Sequence, residues 1–359
     1  MSIANTLAPR AGELYSHTAI RGVAALCVVG YHAIIGSAGM GYTNNPLQNF
    51  FLTSFIFVDF FFILSGFIMY ENYGKKISGP NVVANSILYW KRRLSKILPN
   101  YYFWLIVAVG ITYLKWYSFE ERTVSSECVE TSLIQHFLLV QNLVGSCHYF
   151  NPPLWSVAVE VIAYLVFPIV ILLRMNWALT LIVGSALYGV FYYFSDEGDN
   201  FNGYFSIVRC LAGFLCGVAA AKISTRIWSD FINLPMIILL VWTIALNYQI
   251  LALIIMFLVT ILTANNTGIV AKVSQMKLPY LIGRSSFSIY LAHYPVAMVV
   301  IPVAYKLENL TGIPLGSEWK VMMPFEIIMS SIVGVLAYAY VETRLERLFA
   351  ISNRPLQIA

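Results

Sequence analysis

The sequence predicts an all-α, polytopic integral membrane protein of about ten transmembrane helices with both termini cytoplasmic. Three observations carry that expectation. Hydrophobic residues make up 59% of the 359 positions and charged residues only 11%, against about a quarter charged in soluble domains. Apolar stretches of about 20 residues, long enough to cross a bilayer, follow one another along the chain. Basic clusters alternate with acidic loops between them, so one membrane face collects lysines and arginines and the other collects acids. The net charge of +5 is thus explained by topology, and no nucleic-acid partner is implied. No long repeat, low-complexity tract or detachable linker divides the chain, and residues 1–359 read as one membrane domain.

The first span, residues 17–38, lacks a small-x-small cleavage site and reads as uncleaved. It holds Arg21 and His32, eleven positions apart. On one helix they stand about 16 Å apart along the axis and point to nearly the same side. An ionisable group at membrane depth costs a few kcal/mol unless paired or wet, which marks both for function. Residues 47–70 cross back with Asp59 near their middle, and residues 72–99 carry Lys75, Lys76, Lys91, Arg92, Arg93 and Lys96 without one acid. That composition predicts a cytoplasmic loop and hence a cytoplasmic N-terminus.

A third span at about 98–116 leads to YSFEERTVSSECVETS, with four glutamates and one arginine, predicted to lie outside. Cys128 and Cys147 then share an oxidising compartment and are expected to pair, whereas Cys27, Cys210 and Cys216 sit in apolar stretches as packing residues. HFLLVQNL is too short to cross and is expected along the outer surface. Residues 154–174 enter from outside with Glu160 about two turns deep. Residues 177–194 exit to SDEGDNFNG, and 204–221 return with Arg209 near the outer end and Lys222 and Arg226 beyond the inner one. The uncharged run from Phe231 to Ala271 fits two spans turning near Asn247-Tyr248-Gln249. Lys272 and Lys277 mark the cytoplasmic side, residues 283–305 carry His293 outward, and 322–341 return to Glu342, Arg344, Arg347 and Arg354 inside.

By this topology His32 and Glu160 lie at similar depths, so a carboxylate could orient an imidazole as a general base requires. Arg21, Arg92, Arg93 and Lys96 lie toward the inner face and suit an anionic, phosphate-bearing ligand. Asp59, Arg209, His293 and Trp155 are candidate substrate-binding residues. A purely structural alternative makes Glu160 a helix-packing hydrogen bonder and the basic run a topology signal. His17, His136 and His148 carry no usable signal, and no metal-ligand pattern is present.

These segments together resemble the acyltransferase-3 family of membrane acyltransferases, over nearly the whole chain. Arg21 and His32 match its Arg-x10-His motif, and VDFFFILSGF at 58–67 matches its V-D-x-F-F-x-L-S-G-F segment. RLSKILP at 93–99 stands for R-x-x-R-I-x-P, and LWSVAVE at 154–160 for L-W-S-L-x-x-E. RCLAGFLCG at 209–217 and SFSIYLAH at 286–293 complete the set. Lys96 replaces the second arginine of the cytoplasmic motif, and the C-terminal Glu-x-Pro pattern appears as Glu342-Thr343-Arg344. Lysine keeps the charge and loses the bidentate fork.

The resemblance implies a membrane O-acetyltransferase, with acetyl-CoA as donor and a sugar hydroxyl of a surface polysaccharide, an O-antigen or exopolysaccharide repeat on a lipid carrier, as acceptor. It implies the bacterial inner (plasma) membrane, where the protein is multi-pass among membrane lipids, and no metal. His32 would be the base or acetyl carrier, Glu160 its orienting partner, and Arg21 with Arg92, Arg93 and Lys96 the cofactor-phosphate contacts. Some relatives append an extracellular esterase-like domain, and none is expected here. The rival classes are a secondary transporter or flippase of a lipid-linked sugar, for which no inverted repeat is visible, and a non-catalytic membrane sensor.

Overall fold

The computed structural model describes residues 13–38, 44–119, 126–143, 150–194, 203–223 and 230–349. Cys147, His148, the acidic loop at 195–202, Arg226 and Arg354 lie outside these residues. Every described regular element is helical: α1 (Tyr15–Ala38), α2 (Pro46–Thr53), α3 (Phe57–Met69), α4 (Val82–Phe119), α5 (Ser126–Phe137), α6 (Leu154–Leu172), α7 (Trp177–Phe194) and α8 (Tyr204–Ile223). They are followed by α9 (Asp230–Ala245), α10 (Gln249–Leu262), α11 (Gly268–Ser274), α12 (Lys277–Arg284), α13 (Ser286–Thr311), α14 (Trp319–Ala337) and α15 (Thr343–Leu348). The protein is an all-α polytopic membrane protein. Eight described helices or near-continuous helical runs are long and apolar enough to cross a membrane. The uncharged stretch after Asp230 forms shorter pieces, α9, then α10 turning at Asn247 (φ 59°), then α11 at 79° to the run ending at Asn265.

One expectation is corrected. The basic run at 91–96 is not in a loop, because α4 starts at Val82 and carries Lys91, Arg92, Arg93 and Lys96 straight into the span. The break falls instead at residues 78–81, where Asn81 takes φ 68°. Residues 82–98 contain no glycine or proline, and straight-chain Lys, Arg and Leu are good helix formers. The preceding run extends from Pro46 to Ile77 through a 3₁₀ turn at 54–56 and a π-helical turn at Tyr70–Gly74.

The chain divides into two compact units. The first comprises residues up to Phe61 and Ser224–Ala339. In it α1 runs parallel to α13: a Cβ on Gly22 would meet Gly283 N at 2.7 Å, Gly36 faces Ile301, and the Tyr305 hydroxyl donates to the Ser37 carbonyl at 3.3 Å. α14 returns antiparallel, with Gly334 against the Ile289 backbone and Tyr338 on Arg284. Ala25, Val29 and Ile289 form a buried core with Ile327 against it. Arg284 donates to the Tyr338 hydroxyl (2.6 Å) and, with Tyr280, to the Glu13 carboxylate (3.3 and 2.8 Å), which ties the start of the described chain to α12.

The second unit comprises Phe62–Ile223 and the chain from Tyr340 onward. α3 and α8 cross at van der Waals contact through two glycines, since a Cβ on Gly66 would lie 2.0 Å from the Phe214 carbonyl oxygen and one on Gly217 1.9 Å from that of Ile63. α5 packs on α4, where the Tyr101 and Tyr102 hydroxyls donate to the His136 and Phe137 carbonyls, both at 2.8 Å. His136 is therefore a packing residue, buried at 0% exposure. Cys128 is disulfide-bonded, and Cys27, Cys210 and Cys216 are buried thiols outside any disulfide. Non-reducing peptide mapping should show Cys128 joined to Cys147, and recovery of both as alkylated thiols would refute the pairing.

Candidate active site

In the first unit, α1 is unbroken from Tyr15 to Ala38, so Arg21 and His32 occupy one helix as their spacing predicts. The structure brings His32 to His293: the two rings lie 5.0 Å apart, centre to centre, at 33°. Tyr31 packs edge-on at 4.9 Å and Tyr294 at 6.4 Å. His293 is fully buried, and its Nδ1 makes a short hydrogen bond to the Tyr290 carbonyl one turn back. A carbonyl only accepts, so Nδ1 carries the proton and the buried Nε2 is left as a lone pair without a partner among the described residues. His32 is only partly buried, and it is the imidazole that a ligand can reach.

Arg21, also partly buried, makes no hydrogen bond or ion pair within the described residues. Asp59 is buried at 1% exposure. Glu326 on α14 was not legible as a site residue, yet it is 0% exposed and, among the described residues, neither its carboxyl oxygens nor the Ser330 hydroxyl one turn on has a hydrogen-bond partner. The only sequence signal was a lone acid in the apolar run MMPFEIIM.

In the second unit, Glu160 on α6 accepts a 2.6 Å hydrogen bond from Tyr164 one turn later, and the Tyr164 hydroxyl is 2.9 Å from Ser65 Oγ of the LSGF segment. Arg93 lies over the Tyr73 ring at 4.9 Å, Lys76 over the same ring at 5.5 Å, and Tyr73 packs on Tyr89 at 5.0 Å. Arg93 Nε and the Tyr89 hydroxyl are buried donors without acceptors among the described residues. This basic, aromatic cluster suits a ligand rich in anionic oxygens. Arg92 lies beside Arg93 on α4 and is likewise partly buried.

Lys96 differs from the expectation in having a partner, the Glu346 carboxylate at 3.5 Å, with the lysine side chain half exposed; such a surface pair is worth about 0–1 kcal/mol and leaves the lysine available. Glu342 accepts from Asn100 at 3.3 Å, so this variant of the C-terminal motif anchors α4. Trp155 and Arg209 come together: the Arg209 guanidinium, on a residue only 2% exposed, sits 5.8 Å from the Trp155 ring and 5.6 Å from Phe191.

Imidazole, carboxyl and guanidinium groups on the apolar helices of a polytopic membrane protein are the residues that mark a candidate site for a polar ligand. A family model described as "Acyltransferase domain" matches residues 14–341, and the chain belongs to that family, the acyltransferase-3 family. Among curated proteins it is similar to the O-acetyltransferase OatA of Staphylococcus aureus strains NCTC 8325 / PS 47 and COL, 24% identical to each over 336 residues. The match covers 82% of this chain and 53% of each relative, so the chain spans about half the length of those proteins. No solved structure matches the chain significantly.

Proposed function

We propose that the protein is a membrane O-acetyltransferase that takes acetyl from acetyl-CoA at the cytoplasmic face and delivers it to a sugar hydroxyl of a surface polysaccharide on the outer side of a bacterial plasma membrane. The observation that carries this reading is the His32–His293 pair: a partly buried imidazole beside a fully buried one of fixed tautomer, with Arg21, which makes no hydrogen bond or ion pair among the described residues, on the helix of His32. The OatA likeness supports the reaction class. In the reaction, His32 accepts the proton of the acceptor hydroxyl as its oxygen bonds to the acetyl carbonyl carbon. The carbon–sulfur bond breaks, and the same proton returns to the departing CoA sulfur. General-base help of this kind contributes about 10²- to 10⁴-fold. Arg21, Arg92, Arg93 and Lys96 remain the proposed cations for the donor's phosphates. The buried Arg93 Nε, without an acceptor among the described residues, fits such a ligand. Asp59, Arg209 and Trp155 remain the proposed contacts for the sugar acceptor.

The test is acetyl-CoA binding in detergent. Arg21→Ala and Arg93→Ala should each raise the dissociation constant about tenfold or more, the worth of a hydrogen bond to a charged group, with expression and thermal stability near wild type. Unchanged binding in both variants would defeat the anionic-donor reading. The rival is a flippase of a lipid-linked sugar, which the 79° break before α11 favours because broken helices line transporter sites. Native membranes that incorporate labelled acetyl into glycan only with acetyl-CoA and the intact chain decide for transfer. Lipid-linked sugar movement without such incorporation decides for the flippase.

A further inference from the structure

We propose that Tyr164 is the positioning residue for Glu160, acting as the middle link of a directed chain that begins at the Ser65 hydroxyl. The inference rests on the reading of Glu160 as part of the transfer machinery. The Tyr164 hydroxyl donates its only proton to Glu160 Oε1 at 2.6 Å. The 2.9 Å contact with Ser65 must then be donated by the serine. The chain therefore has one direction, Ser65 to Tyr164 to Glu160, and hydrogen bonds in series polarise one another.

Two further helices hold the tyrosine still. Tyr89 of α4 meets its ring edge-on at 6.4 Å and 90°, Phe214 of α8 at 6.2 Å and 73°, and Trp90 Nε1 donates to its backbone carbonyl at 3.1 Å. Tyr164 is 4% exposed, whereas Glu160 is only partly buried and its one hydrogen bond among the described residues is to this hydroxyl. A partly exposed glutamate has three rotatable bonds, and among the described residues Tyr164 makes the one hydrogen bond that restrains its carboxyl. With Oε1 taken, Oε2 is the oxygen left without a hydrogen bond among the described residues. A one-turn Glu–Tyr pair forms on many helices and by itself would say little. What marks this one is that Ser65, on a different helix, orders the tyrosine's proton toward the carboxylate.

Tyr164→Phe removes one oxygen and keeps the ring contacts. Labelled-acetyl incorporation by native membranes should fall about 10- to 100-fold in kcat, the scale of a small misplacement of a reacting group, while KM for acetyl-CoA and thermal stability stay near wild type. Ser65→Ala should lower kcat several-fold and add nothing in the Tyr164→Phe background, because serine acts only through the tyrosine. A Tyr164→Phe protein with wild-type kcat, or additive losses from the two substitutions, overturns the proposal while leaving Glu160 in place. Should Tyr164→Phe fail to fold, Ser65→Ala decides, and an unchanged kcat there overturns it. A Glu160→Gln protein with full activity defeats both this inference and the reading it rests on.

Discussion

His32→Gln should abolish acetyl transfer while leaving the protein folded and able to bind acetyl-CoA. Glutamine keeps much of the imidazole's volume and a hydrogen-bonding end, so the packing on Tyr31 and His293 persists, but it cannot accept and return a proton near neutral pH. The loss expected is about 10²- to 10⁴-fold in turnover, the range of a general base. His293→Gln should cost less, because that ring is sealed from ligand and acts through its neighbour. The two losses should be strongly non-additive, as for groups that work as one unit. Labelled-acetyl incorporation by native membranes reads the rate, and detergent binding reads the donor site. A His32→Gln enzyme keeping more than about a tenth of wild-type turnover falls outside the general-base range and would sink the assignment.

Gly217→Leu should prevent assembly of the second unit. The glycine's missing Cβ would sit 1.9 Å from the Ile63 carbonyl oxygen and 2.8 Å from Phe67 N, contacts with backbone that no side-chain rotation relieves. Gly66 makes the reciprocal approach to Phe214, so α3 and α8 would have to part along their whole crossing. Overpacking a core costs about 1–3 kcal/mol when neighbours can shift, and more is expected where backbone blocks the shift, against a total stability of about 5–15 kcal/mol. The measurement is the yield of monodisperse protein from detergent extracts and its melting temperature. Gly110→Leu is the control, since nothing lies within 4 Å of that position and no loss should follow. Near-normal yield and melting for Gly217→Leu would show that the crossing is not as close as the structure places it.

The glycine pair shows where sequence and structure divide. Gly66 and Gly217 stand in two of the motifs that identify the family, but a motif says only that a residue is required, and the reason here is a helix crossing between segments about 150 positions apart in a chain built on a 1.5 Å rise. The Arg21–His32 relation was readable because helical geometry is local: three turns fix depth and side whatever surrounds the helix. By the same local rule the apolar segments appear as helices close to where hydropathy places them. The exceptions are the continuation of α4 back to Val82 and the breaking up of the uncharged stretch after Asp230. Charge had suggested a loop where helix propensity and packing extend a helix.

By itself the sequence determined the all-helical membrane class, the family, and the placing of Arg21 and His32 on one helix, since each follows from composition, local periodicity or order along the chain. Only the tertiary structure decided which ionisable groups have partners. It paired His32 with His293, tied Glu160 to Tyr164 and Ser65, gave Lys96 a carboxylate, and left Glu326 and Arg93 Nε unmatched. Those outcomes depend on which face each helix turns to its neighbours. Small residues and backbone contacts far apart in the chain set that packing, and hydropathy does not record it.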